Sequence, residues 1–346
     1  MKLYLILSLI LTFANANIRT QVIMGTYVTV NVKRDHNSAF ERMKEVDLAL
    51  SSYNEEAEIY KLNFKRELYL TSFALKSLNY AKEMYKLTDG YFQLAIGNIT
   101  RDLYNFGEDE RVVKNEELEN SSVGWDLVKI DSNYVKLLDN VKLDFGGIGK
   151  GIAVDEAASG LACIGVKEGS IAASGDVRCL GICEIDITDP FSKGLFTTFT
   201  TLKENLAIST SGNYRRFVEK KENNHLINPK TKTPEQAFAS VSIVSFENNA
   251  YVDAMATAIA VMPLKKALSF VKEHKEFGYL LIATDNKIYF GNLDSFVTHN
   301  IANEHENANA KENLKNQKTY PLNYGKKRHI NYEKISAKHI GYKTDK

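Results

Sequence analysis

Apolar residues recur with a helical period at Phe40, Met43, Val46 and Leu50, and Ser38 with Glu41 reads as a capping box ahead of them. A second amphipathic helix is predicted over Ser72–Leu87, with Leu75, Leu78, Ala81 and Met84 on one face and Gly90 just beyond as a stop. Residues 20–33 carry the β-rich run Tyr27-Val28-Thr29-Val30-Asn31-Val32. Residues 141–145 read as a strand, a glycine cluster follows, and 152–163 reads as a helix. Strands are predicted over 196–202 and 241–246, and 249–262 has a helical composition. Residues 279–283 and 287–290 flank Asp285-Asn286, a hairpin signal. Helices and strands interleave along the chain, which argues for one α+β unit rather than separate strand and helix domains.

The two ends depart from this pattern. Met1-Lys2, an apolar run from Leu3 to Phe13 and the small-residue exit Ala14-Asn15-Ala16 have the layout of a secretory signal peptide. The expected organisation is therefore a signal segment 1–16, a globular domain 17–298 and a tail 299–346, in a protein exported to a periplasm. Residues 303–346 hold ten Lys/Arg and five Asp/Glu, leaving −4 on the rest of a chain whose formal net charge is +1. A near-neutral whole excludes a protein built to coat nucleic acid. The 44% hydrophobic and 25% charged residues exclude wholesale disorder, and no internal stretch approaches the ~20 apolar residues of a membrane span. Cys163, Cys179 and Cys183 read as three small buried hydrophobes, although an oxidising compartment would permit one disulfide and leave an odd thiol.

Generic catalytic motifs fail. Asp144-Phe145-Gly146 copies a kinase triplet without the accompanying catalytic loop. Gly146-Gly147-Ile148-Gly149-Lys150-Gly151 fits neither phosphate-loop nor dinucleotide spacing. A glycine turn leading into a helix can be an ordinary tight turn, or it can leave backbone N–H groups open to an anion, with Lys150 beside them. Asp253 and Thr257, at i and i+4, share a helix face and offer the oxygen donors that suit a hard cation such as Mg²⁺, although taken alone they read first as an Asp near a helix N-terminus and a Thr packed in the core. His225, between polar and apolar neighbours ahead of a turn, could be a buried structural group or a titrating one.

Taken in order, these fragments resemble the ApbE family of FAD:protein FMN transferases. The blocks are Met24-Gly25-Thr26, Ser51-Ser52-Tyr53, Asp89-Gly90-Tyr91-Phe92-Gln93 and Leu143-Asp144-Phe145-Gly146-Gly147-Ile148-Gly149-Lys150-Gly151. Ser174-Gly175-Asp176, Ser211-Gly212-Asn213-Tyr214, His225-Leu226-Ile227-Asn228-Pro229 and Asp253-Ala254-Met255-Ala256-Thr257 complete the series. Each block is weak alone; eight in order between residues 24 and 257 are together specific.

The resemblance implies a single α+β domain of the ApbE type, related to T-folds, with mixed β-sheets and packed helices. It also implies Mg²⁺-dependent chemistry in which FAD is split at its diphosphate. The FMN half passes to a Thr hydroxyl of an acceptor protein, and AMP leaves. Positioning and charge neutralisation would carry such a reaction without a nucleophilic triad. Carried over residue by residue, Asp253, Thr257 and the Gly147 carbonyl correspond to metal ligands. Met24, Tyr53, Tyr91, Phe92, Gln93, Asp144, Lys150 and Ile227 correspond to flavin-nucleotide contacts. His225 is the candidate for handling the acceptor's proton, and Asp144 is the competing base. Gln93 stands where the family usually has Asp, and Ala256 where some members carry a second acid. A pyrophosphatase using water, or a non-catalytic FAD-binding protein, would share most of this motif set.

Overall fold

The computed structural model describes residues 17–301 apart from Lys193 and Arg215. The predicted signal segment 1–16 and the tail from residue 302 lie outside the described residues. Its α-helices run over His36–Leu50 (α1), Glu58–Lys65 (α2), Ser72–Leu87 (α3), Asn115–Glu119 (α4), Gly149–Cys163 (α5), Asn249–Ala260 (α6) and Leu264–Glu273 (α7).

An eight-stranded sheet forms the centre, in the spatial order Ile18–Ile23, Thr26–Asn31, Ser170–Ala173, Asp176–Cys179, Leu206–Gly212, Phe238–Ser245, Gly278–Ala283 and Ile288–Gly291. Every ladder in it is antiparallel, so the α+β mixing lies in helices against sheets and not in strand direction. Alternation along the central strands sends side chains to two cores. Ala207, Val241, Ile243 and Leu281 join the helices α1, α3, α5 and α6 on one face. Ile208, Val244, Leu280 and Ile282 face a three-stranded sheet of Glu184–Thr188, Leu195–Thr201 and Val297–His299 through Ile185, Ile187 and Phe199.

The expected elements are met in part. The β-rich run 20–33 is a hairpin of two strands, paired from Ile18↔Asn31 to Ile23↔Thr26. Its two-residue turn, Met24-Gly25, has φ +53° and +67°, the left-handed pair that fits the twist of the flanking strands. α1 starts at His36 with Asp35 at its N-cap and no side-chain cap bond, so Ser38 lies inside the helix rather than capping it. α3 occupies Ser72–Leu87 with the Thr71 hydroxyl accepting from the Ala74 N–H.

Residues 141–145 are not a strand: their backbone bonds outside any ladder, Leu143 N–H to Asn63 Oδ1 and Asp144 N–H to the Leu94 carbonyl. Val141 and Leu143 are fully buried there, which explains their strand-like composition. The domain boundary at 298 cuts the Val297–His299 strand, where Val297 is buried in the second core. Cys179, the last residue of the Asp176–Cys179 strand, and Cys183, just before the Glu184–Thr188 strand, are disulfide-bonded with Cα atoms 5.9 Å apart, and Cys163 is free and exposed; the reading of three buried hydrophobes does not hold. No helix among the described residues is long and apolar enough to cross a membrane.

Candidate functional site

α5 and α6 cross where α5 begins. A Cβ on Gly151 would lie 2.4 Å from the Asn249 carbonyl oxygen, so the helices meet backbone to backbone there. The close approach brings the first turn of α5 against the Asp253–Thr257 face of α6. The Gly151 N–H donates to Asp253 Oδ2 at 3.0 Å, and the Thr257 hydroxyl donates to the Gly147 carbonyl at 3.3 Å. A side chain on Gly147 would meet Thr257 Cγ2 at 2.8 Å, so the glycine lets hydroxyl and carbonyl converge.

Asp253 is 2% exposed in the middle of an otherwise uncharged helix. A carboxylate so placed must be compensated. Lys150 Nζ lies 3.6 Å from Asp253 and 3.0 Å from the equally buried Asp176, which also accepts from the Ser209 hydroxyl at 2.5 Å. Two carboxylates thus share one ammonium. Burial and the neighbouring Asp176 charge push Asp253 above the ordinary carboxylate range, against the pull of Lys150 and the Gly151 N–H. Burial by itself would lower Lys150, but the two carboxylates outweigh it and hold the ammonium charged.

Among the described residues no group of three or more His, Cys, Asp or Glu side chains is placed to hold a metal. The donors that do converge are one carboxylate, one hydroxyl and one carbonyl, all hard oxygens, with a second buried carboxylate, Asp176, close by. That set fits Mg²⁺, which takes few carboxylates and keeps positions for water and phosphate. Asp253, Thr257 and Gly147 are the residues that would hold it.

These groups open onto a cleft of about 1040 Å³. Met24, Tyr53, Tyr91, Phe92, Gln93, Asp144, Gly147, Lys150, His225, Ile227, Asp253 and Thr257 all line it, so the residues singled out in the sequence meet in one place. The turns Met24-Gly25 and Ser174-Gly175, at the ends of neighbouring hairpins, form part of the rim. Asp144 accepts from the Gly146 N–H at 2.9 Å and the Thr100 hydroxyl at 2.5 Å, which engages both oxygens. Gln93 Oε1 accepts from the Ala95 N–H at 3.0 Å. The Lys230 ammonium lies 4.7 Å from the Tyr91 ring centroid.

Tyr53 has one ring face already covered, with the Arg101 guanidinium 3.5 Å from its centroid, so at most one face is open for stacking. His225 Nδ1 sits 3.1 Å from the Arg216 carbonyl. A carbonyl only accepts, so Nδ1 carries the proton and Nε2 keeps its lone pair. Burial, reinforced by the Arg216 charge, pushes this imidazole down to about 4.

Sequence reasoning placed the metal-helix pair and His225 but did not single out Asp176, Thr100 or Arg216. Asp176 stands in a quoted motif, and its pairing with Lys150 across 26 positions has no local signature. Thr100 and Arg216 reach the cleft from a π-helical turn, Asn98–Leu103, and from a loop, neither of which has a periodic signal.

The profile described as the ApbE family matches residues 24–281. The chain belongs to the ApbE family. Relatives of this ApbE-family chain include an FAD:protein FMN transferase of Haemophilus influenzae, 25% identical over 282 residues, covering 75% of this chain and 81% of the relative. The FAD:protein FMN transferase of Rhodobacter capsulatus is 36% identical over a shorter 128 residues, 35% of this chain and 24% of the relative. Among solved structures, an ApbE protein of Thermotoga maritima superposes with a TM-score of 0.72 at 24% identity, covering 80% of this chain and 97% of that one. A flavin transferase ApbE of Vibrio cholerae gives 0.69 at 22% identity, covering 81% and 98%. At these identities the structural likeness establishes the fold.

Proposed function

We propose that this chain is an FAD:protein FMN transferase that moves FMN from FAD to a Thr hydroxyl of an exported or membrane-associated acceptor protein, with Mg²⁺ bound, outside the cytoplasm. The observation that carries the reading is the convergence in one cleft of a hard-oxygen donor set, Asp253, Thr257 and Gly147, with an imidazole whose Nε2 is unprotonated. The relatives' shared activity supports the flavin chemistry.

The acceptor Oγ forms a bond to the FMN phosphorus. The bond from that phosphorus to the bridging oxygen breaks, and AMP leaves with the oxygen. His225 takes the hydroxyl proton at Nε2, while the Arg216 carbonyl fixes its tautomer. A base held down to about 4 is weak. The negative charge of a bound diphosphate would raise it toward the working pH, because an anion favours imidazolium. Asp144, engaged on both oxygens, orients the Gly146–Gly147 turn. Bound Mg²⁺ supplies neutralisation of the diphosphate charge. Met24, Tyr53, Tyr91, Phe92, Gln93, Lys150 and Ile227 all line this cleft of about 1040 Å³, where they would contact the nucleotide.

Replacing Asp253 separates the metal assignment from stability. Asp253→Ala leaves Lys150 paired one-to-one with Asp176, so the variant should fold with a Tm close to that of the parent. Mg²⁺-dependent turnover of FAD should fall by at least about a hundredfold, the scale of losing one electrostatic contact at a reacting centre. Unchanged turnover would remove the metal from this helix.

A further inference from the structure

Two described cationic side chains line the cleft, Lys150 and Arg216. Lys150 is committed to Asp176 and Asp253. Arg216 has no carboxylate partner within 4.0 Å among the described residues. Its Nη2 donates to the Tyr53 hydroxyl at 2.7 Å, and that hydroxyl in turn donates to the Phe106 carbonyl at 3.1 Å. The guanidinium carbon lies 5.6 Å from the Phe106 ring centroid and 5.9 Å from that of Tyr53. Gly107, at φ +85°, makes room for it: a Cβ there would come within 2.9 Å of Nη2. The side chain is therefore held in place by aromatic neighbours and a hydroxyl, with one of its five N–H donors used and its charge unpaired.

A diphosphate needs what this site otherwise lacks. Lys150 is shared between two carboxylates and so has no unpaired charge to offer an incoming polyanion. We propose that Arg216 binds the diphosphate of the dinucleotide through its forked donors, with Tyr53 and Phe106 holding the guanidinium in position. Arginine suits the task because its planar fork matches phosphate oxygens and it cannot lose its proton. The inference rests on the flavin-transferase reading for its ligand and deepens it by naming a phosphate contact outside the quoted motif positions.

The test compares ADP, which carries the diphosphate without the flavin, with riboflavin, which carries the flavin without phosphate. Both are titrated in the presence of Mg²⁺ against the parent protein and Arg216→Gln. The proposal predicts that the Kd for ADP rises at least about tenfold, the scale of one charge-assisted contact. Riboflavin binding and the unliganded Tm should stay the same. Arg216→Lys, which keeps the charge and loses the fork, should give an intermediate ADP affinity, and it serves as the readout if the Gln variant does not fold. Unchanged ADP binding would overturn the proposal. So would equal weakening of ADP and riboflavin, which would make Arg216 a wall of the flavin pocket, or a parent protein that binds no ADP. Failure of FMN transfer to any acceptor would sink the flavinylation reading and leave this affinity ratio readable.

Discussion

His225 shows how one hydrogen bond defines a role. The Arg216 carbonyl selects the Nδ1–H tautomer and leaves Nε2 available, and burial keeps the ring neutral at pH 7. The unfolded chain binds the His225 proton near 6.5 and the folded one near 4. Stability from this group is therefore intact above pH 6.5 and lost as pH falls through that window, where the unfolded state binds more protons. The Tm of the parent should drop more between pH 7 and 5 than that of His225→Gln, as read by thermal melts. NMR titration of the imidazole should show its midpoint rising when ADP and Mg²⁺ are added, and a midpoint that stays put would place the diphosphate away from His225. The residue-scale chemistry was legible where partners are helix neighbours, as Asp253 and Thr257 are. It was illegible where partners meet only in space, as Asp176 does with Lys150 and Arg216 with Tyr53.

At the scale of elements, the site depends on the α5–α6 crossing. Gly151 permits it, and Asp155 reinforces it by accepting the Asn249 and Ala250 N–H groups at 2.8 Å each, which caps the start of α6. Gly151→Ala should cost about 2–3 kcal/mol by overpacking against backbone that cannot move aside, a fall in Tm of about 5 °C or more. It should also weaken Mg²⁺ binding, because the Gly151 N–H to Asp253 bond shifts with it; a Tm within 1 °C of the parent would show the crossing to be looser than described. Amphipathic periodicity located α1 and α3 because each presents one apolar stripe to the core. The segment 141–145 defeated the same reasoning: burial alone selected its Val and Leu, and its backbone bonds to loops and to Asn63. The Met24-Gly25 turn was hidden because a left-handed Met has no sequence signature.

At the scale of the whole molecule, the described residues build a sheet covered on both faces, by helices on one side and by a small sheet on the other. That α+β character followed from the interleaved elements, whereas the eight-strand antiparallel order did not, since strand neighbours such as Thr26–Asn31 and Ser170–Ala173 are far apart in the chain. Both layers contribute to the cleft, Asp253 and Thr257 from α6 and Ile185 and Ile187 from the small sheet. The central claim is that this cleft joins FMN to a hydroxyl of another polypeptide. Its most direct test is the intact mass of a Thr-containing acceptor incubated with this protein, FAD and Mg²⁺. The account predicts a gain of one FMN less one water on a Thr, with an equal amount of AMP in solution and neither product when EDTA is present. An acceptor of unchanged mass beside free FMN and AMP, or FAD left intact, would contradict it.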